Sequence, residues 1–165
     1  MVTENDVNKL LTKYTKKEFL DITDFETEFL DYRSKVIVAN IYIERLMEYI
    51  IIKKSKNYGD LTKLDFSKKQ KILFGLGILS EDLNHELKII NKIRNTFAHE
   101  IDPLKSEIPD LIKEFKFYDE TKMPKANDPV SQATTDGVIA GMVTGFLMRH
   151  LAEILWETDS KNKNQ

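Results

Sequence analysis

The sequence contains no cysteine. That absence excludes disulfides, thiolate zinc sites, iron–sulfur ligation and cysteine nucleophiles together. Histidine is scarce: His85, His99 and His150 are the three available, so imidazole chemistry has few possible homes. Four prolines and six glycines among 165 residues leave room for long uninterrupted helices. Long hydrophobic runs are missing as well. The longest, Gly137 to Met148, is bounded by Asp136 and Arg149 and falls short of the roughly 17–25 residues a spanning helix needs. The start, MVTENDVNKL, has no basic segment followed by an apolar core, so it does not read as a secretory signal. These absences predict a cytoplasmic protein with no membrane partner. A large excess of one charge is absent too. Twenty-five Lys and Arg against 27 Asp and Glu give a net charge of -2. That excludes a uniformly basic chain coating nucleic acid, but not a local basic patch.

What is present points to helices. Hydrophobic residues make up 41% and charged residues 32%, a globular composition at the charge-rich end. The length suits one domain with a full core. Heptad-like apolar spacing appears three times. The first run is Phe25, Phe29, Tyr32, Val36, Ala39, Ile43, Leu46 and Ile50, with Asp24 as its cap and Asn57-Tyr58-Gly59-Asp60 as its stop. The second is Leu83, Leu87, Ile90, Arg94, Phe97 and Ile101, capped by Ser80, favoured by Glu81 and Asp82 in its first turn, and ended by Pro103. The third is Val130, Ala133, Gly137, Ala140, Thr144, Leu147, Leu151 and Ile154, with Asp128 as cap and Pro129 in the first turn.

Shorter helices are expected at Ser67 to Leu76, at Pro109 to Tyr118, and around Val7–Leu11 and Lys17–Leu20. No strand pattern of useful length appears. Residues 119–127 read as a loop. The expected architecture is an all-α antiparallel helical bundle, with three long helices and several short ones, in a single domain over 1–157. Residues 158–165 are expected to form a disordered tail.

Charge is unevenly spread. Residues 53–71 hold seven lysines against Asp60 and Asp65, whereas 21–31 hold five acids and no base. Lys68 and Lys69 from the basic stretch, with Lys88 and Lys92 on the helix that carries Arg94, are candidate nucleic-acid contacts. The plainer alternative is a solvated lysine-rich face.

The chemically informative window is Ile89-Ile-Asn-Lys-Ile-Arg-Asn-Thr-Phe-Ala-His-Glu100. Arg94 falls on the apolar stripe, where leucine or isoleucine is expected. A buried guanidinium without a partner is costly, so Arg94 must face a carboxylate, carbonyls or a wet cleft. Asn95 and His99 are four residues apart and share a face. Arg94 and His99 are separated by about 140° around an ideal helix, and so flank a groove edge. The last-turn helix dipole favours a protonated His99. These parts suit metal-free RNA cleavage, with His99 as base or acid, Arg94 holding phosphate oxygens and Asn95 orienting either. One histidine per chain is little for two proton transfers, and a two-fold dimer would supply a second. The alternative is structural: Arg94 paired with Glu44, His99 bonded to the helix's last carbonyls, and Asn95 an ordinary surface residue.

The stretch FSKKQKILFGLGILSEDLNHELKIINKIRNTFAHEID (Phe66–Asp102) resembles the mannitol operon repressor family. The resemblance rests on the Phe-Ser start with a lysine soon after, the Leu-Gly-Ile-Leu-Ser junction, and the Ile-Arg-Asn-x-Phe-Ala-His ending. DYRSKVIVANIYIERLMEYI (Asp31–Ile50) is similar to that family's first long helix, and the likeness covers roughly residues 27–115. The Arg-Asn-x3-His pattern, on Arg94, Asn95 and His99, also looks like the signature of the HEPN superfamily of helical, usually dimeric proteins. The resemblance implies a HEPN-like bundle, a homodimer, and one of two functions. One is transcriptional regulation through a protein partner or nucleic acid. The other is metal-independent endoribonuclease activity on RNA in a toxin or phage-defence system. No helix-turn-helix and no mannitol site is evident in this chain.

Other features carry less. Gly137, Gly141 and Gly145 recur every four residues, which predicts close helix packing, within the chain or across a dimer. His85 and His150 read as surface histidines and Trp156 as a packing residue. Glu81/Asp82 and Asp119/Glu120 are adjacent pairs that diverge on a helix, so no metal site is expected. Gly75-Leu-Gly77 is a helix junction rather than a phosphate loop, so no cofactor is expected either.

Overall fold

Helix α1, Glu4–Lys13, begins where Thr3 and Asp6 cap each other, and it buries Val7 and Leu11. The computed structural model of the chain describes residues 3–13, 15–18, 32–99, 108–116 and 129–163. Next come α2 (Tyr32–Lys54), a single 3-10 turn (Leu61–Lys63), α3 (Phe66–Gly75), α4 (Glu81–His99), α5 (Ile108–Lys113) and α6 (Pro129–Lys163). The described residues contain no strand, and the fold is an all-α bundle.

The three apolar stripes are what hold it together. Val36, Ala39, Ile43, Leu46 and Ile50 of α2 are all buried, as are Leu83, Leu87, Ile90 and Phe97 of α4 and Ala140, Leu147 and Leu151 of α6. They join one core. The predicted caps Asp24 and Asp128, and the residues Phe25, Phe29, Ile101 and Pro103, lie outside the described residues, as do the acidic stretch and the 119–127 loop. Helix α2 stops at Lys54, earlier than the Asn57–Asp60 turn. Helix α5 is shorter than expected and ends at Lys113, although Phe115 beyond it is still buried.

Capping fixes the α3–α4 hairpin. The Asp65 carboxylate accepts from the Lys68 backbone N–H at 2.9 Å and starts α3. Ser80 Oγ accepts from the Leu83 N–H at 3.2 Å and starts α4, as its sequence position implied. Between them Gly77 adopts φ +67, and its N–H and that of Ile78 bond back to Phe74 and Leu73. Gln70 donates from Nε2 to the Asn84 carbonyl and side chain, tying the hairpin across its buried side.

The most extensive helix pair is α2 with α6. Lys53, in the last turn of α2, forms an ion pair at 2.5 Å with Asp159 near the end of α6. The C-terminal ends of these two helices therefore meet, and the pair runs parallel. Lys53 also donates to Asn8 Oδ1 of α1. This corrects the expected disordered tail from residue 158: α6 continues to Lys163, with Thr158 and Asp159 buried. The physical cause is Lys53, a buried ammonium that requires an anion. Gly145 shows no tight packing within the chain, since a Cβ there would meet nothing within 4 Å.

Candidate functional site

The N-terminus of α3, the middle of α2 and the C-terminal half of α4 enclose a groove of about 320 Å³. Arg94 and Asn95 line one side and Asn40, Ile41 and Glu44 another, with Asp65 and Ser67 at the start of α3. Arg94 is half-buried, and its Nη1 donates to Asn95 Oδ1 at 2.8 Å. The neighbouring amide thus fixes the guanidinium without neutralising it. A groove built this way presents a positive fork beside carboxylate and amide acceptors.

The Arg94–Glu44 pair of the structural alternative does not form. Glu44 Oε1 instead accepts from Lys69 Nζ at 2.9 Å. Lys69 is almost wholly buried on the face of α3 that also buries Phe66, Gln70 and Leu73. This removes Lys69 from the candidate surface contacts, because its ammonium points into protein. Lys68 is exposed but pairs with Asp65 at 3.0 Å, and exposed Lys92 lies 3.9 Å from Glu114. Lys88 is exposed. The basic stretch 53–71 is therefore partly internal: Lys53 and Lys69 both hold buried ammonium groups in ion pairs.

His99 is the last residue of α4 and is exposed, and it does not line the groove. Its side chain forms no hydrogen bond with another described residue. Arg94 and Asn95 are thus brought together, whereas His99 stands apart at the helix end. His85 bonds through Nε2 to the Glu114 carbonyl at 3.0 Å. His150 is exposed.

Asn40 belongs to the site and escaped the sequence reading. It donates through Nδ2 to the Val36 and Ile90 carbonyls, while its buried Oδ1 has no partner among the described residues. A signal for it existed: Asn40 sits four residues after Val36 and three before Ile43, on the apolar face of α2. Asn91, one turn before Asn95, also lines the groove. Among the described residues no three His, Asp or Glu side chains are grouped to hold a metal ion, and no helix is long and apolar enough to cross a membrane.

No family model, no curated protein and no solved structure matches this chain.

Proposed function

We propose that this protein is a regulatory binding protein, similar to the mannitol operon repressor family, acting through protein or nucleic-acid contacts at the Arg94 groove. The supporting observation is Arg94 itself. Its guanidinium is held by Asn95 in an open groove, the Glu44 carboxylate is taken by Lys69, and the one histidine of the motif stands outside. Such a groove suits an anionic group held on the guanidinium, and the motif's imidazole does not line it. Lys88, Lys92 and Lys68 extend the contact surface, and the active unit is a cytoplasmic homodimer with no cofactor.

Fluorescence anisotropy with short single-stranded RNA and duplex DNA, alongside co-purification from the protein's own cells, tests this reading. A ligand held by the wild type without turnover, and lost from Arg94→Ala, is the expected result. Equal retention by both proteins removes the groove from the function.

The second reading is a metal-independent endoribonuclease using Arg94, Asn95 and His99. The exposure of His99 at the end of the same helix favours it, because an accessible imidazole can reach a long substrate. Under this reading RNA is cut in EDTA, and His99→Ala stops the cutting with the fold retained. Intact RNA after incubation with the wild type rejects it.

A further inference from the structure

A second groove, of about 310 Å³, lies between the first turns of α4, the segment after α5, and α6. Asp82, Glu86, Lys116, Phe146 and His150 line it. Its chemistry differs from that of the Arg94 groove. Glu86 is almost wholly buried. Its Oε1 accepts from the Lys116 backbone N–H at 2.9 Å, but its buried Oε2 has no partner among the described residues. A buried carboxylate oxygen without a donor is costly, and it marks a place where a donor from outside belongs.

The surrounding charges say what kind of donor. Among the described lining residues the one ammonium, on Lys116, is already paired with Asp82. Glu81 also acts on Lys116, and Glu153 lies 4.0 Å from His150 at the α6 side. Among the described residues acids thus outnumber bases around the groove, even counting Arg149, which lies 3.8 Å from Glu153. The α6 wall is aromatic: Phe146 is more than half exposed and stacks on His150, with ring centroids 5.9 Å apart and planes 20° from parallel. An aromatic face beside a buried carboxylate suits a cation that carries N–H donors and an apolar stem.

We propose that this groove binds a primary alkylammonium group, its N–H donated to Glu86 Oε2 and its alkyl stem lying along Phe146. The inference does not rest on the reading of the Arg94 groove. The chemistry is shared by free amines and by lysine side chains, and the test separates them.

The experiment is an NMR titration of the full chain, following backbone amides, with n-butylammonium chloride. The expected result is saturable shifts at Glu86, Lys116 and Phe146 with a dissociation constant of about 1 mM, the scale of a small ligand making one charged contact. Nα-acetyl-lysine amide is titrated in parallel. Tighter binding of that compound assigns the groove to lysine side chains; tighter binding of n-butylammonium assigns it to free amines. Glu86→Gln should weaken binding about tenfold by turning the acceptor into a donor. Phe146→Ala, a change at an exposed side chain, should weaken it several-fold with the fold intact. Tetramethylammonium, which has no N–H, should not compete. Arg94→Ala should leave the titration unchanged. Equal binding of neutral n-butanol would overturn the proposal in favour of a merely apolar crevice. Unchanged affinity in both Glu86→Gln and Phe146→Ala, or no saturable shift with either amine, would also overturn it.

Discussion

Lys69 Nζ lies 2.9 Å from Glu44 Oε1, and the two ends of that ion pair differ in their access to water. The lysine side chain is 5% exposed and the glutamate 36%. Removing the carboxylate strands a buried ammonium, whereas removing the ammonium leaves a carboxylate that water can reach. Glu44→Ala should therefore destabilise the fold by about 2 kcal/mol, a buried-pair loss discounted for the exposed acid, and by more than Lys69→Met does. Urea denaturation of the two variants checks this. Equal losses would mean that the pair is solvated on both sides.

The Lys53–Asp159 pair is buried at both ends, with side chains 5% and 9% exposed. Asp159→Ala should cost about 3 kcal/mol, as expected when one member of a buried pair is lost. Truncation after Glu157 should cost at least as much. A truncated protein as stable as the full chain would show that the end of α6 contributes nothing to the fold.

Gly77 separates a backbone effect from a packing effect. Its φ is +67, yet a Cβ there would meet nothing within 4 Å. Gly77→Ala should lower stability by about 1 kcal/mol through left-handed strain alone. Thermal unfolding and a structure of the variant together test this, and the structure should show no displaced neighbour.

Burial raises the Glu86 carboxyl above its ordinary value of 4.5, while the Lys116 backbone N–H opposes the shift. The folded state thus holds this proton more tightly than the unfolded chain does. Its contribution to stability is complete below the unfolded pKa and is lost as pH rises through the folded one. Asp65 behaves in the opposite sense, because the Lys68 backbone N–H holds it below the usual range. The clean measurement is therefore the difference between wild type and Glu86→Gln. As pH rises from about 4 to 7, the variant should gain stability relative to the wild type. A pH-independent difference would place the Glu86 proton elsewhere.

Much of the bundle could be read along the chain because apolar spacing and caps are local properties. Ser80 caps α4, and the buried residues of α2, α4 and α6 follow the predicted stripes. Arg94 was visible as a polar break in a stripe, and its groove follows from that break. The partner of Glu44 was not visible. Lys69 lies in a lysine-rich run that reads as solvated, and only the packing of α3 against α2 turns it inward. The same limit applies to Glu86, which sits three residues after Leu83 and four before Ile90. Its position on the buried face was readable; its unpaired oxygen depends on where the segment after α5 ends up.

The parallel pairing of α2 with α6 also constrains the order of events in folding. The α3–α4 hairpin closes over a short loop and can form early, from contacts close in sequence. The α2–α6 contact joins opposite thirds of the chain, and it must wait for the intervening segments to collapse. Until Asp159 arrives, Lys53 and the apolar stripe of α2 have no cover from α6. Before α6 joins, α2 can be covered only by α1, α3 and α4, and the part of its surface that packs on α6 is open to aggregation in that interval.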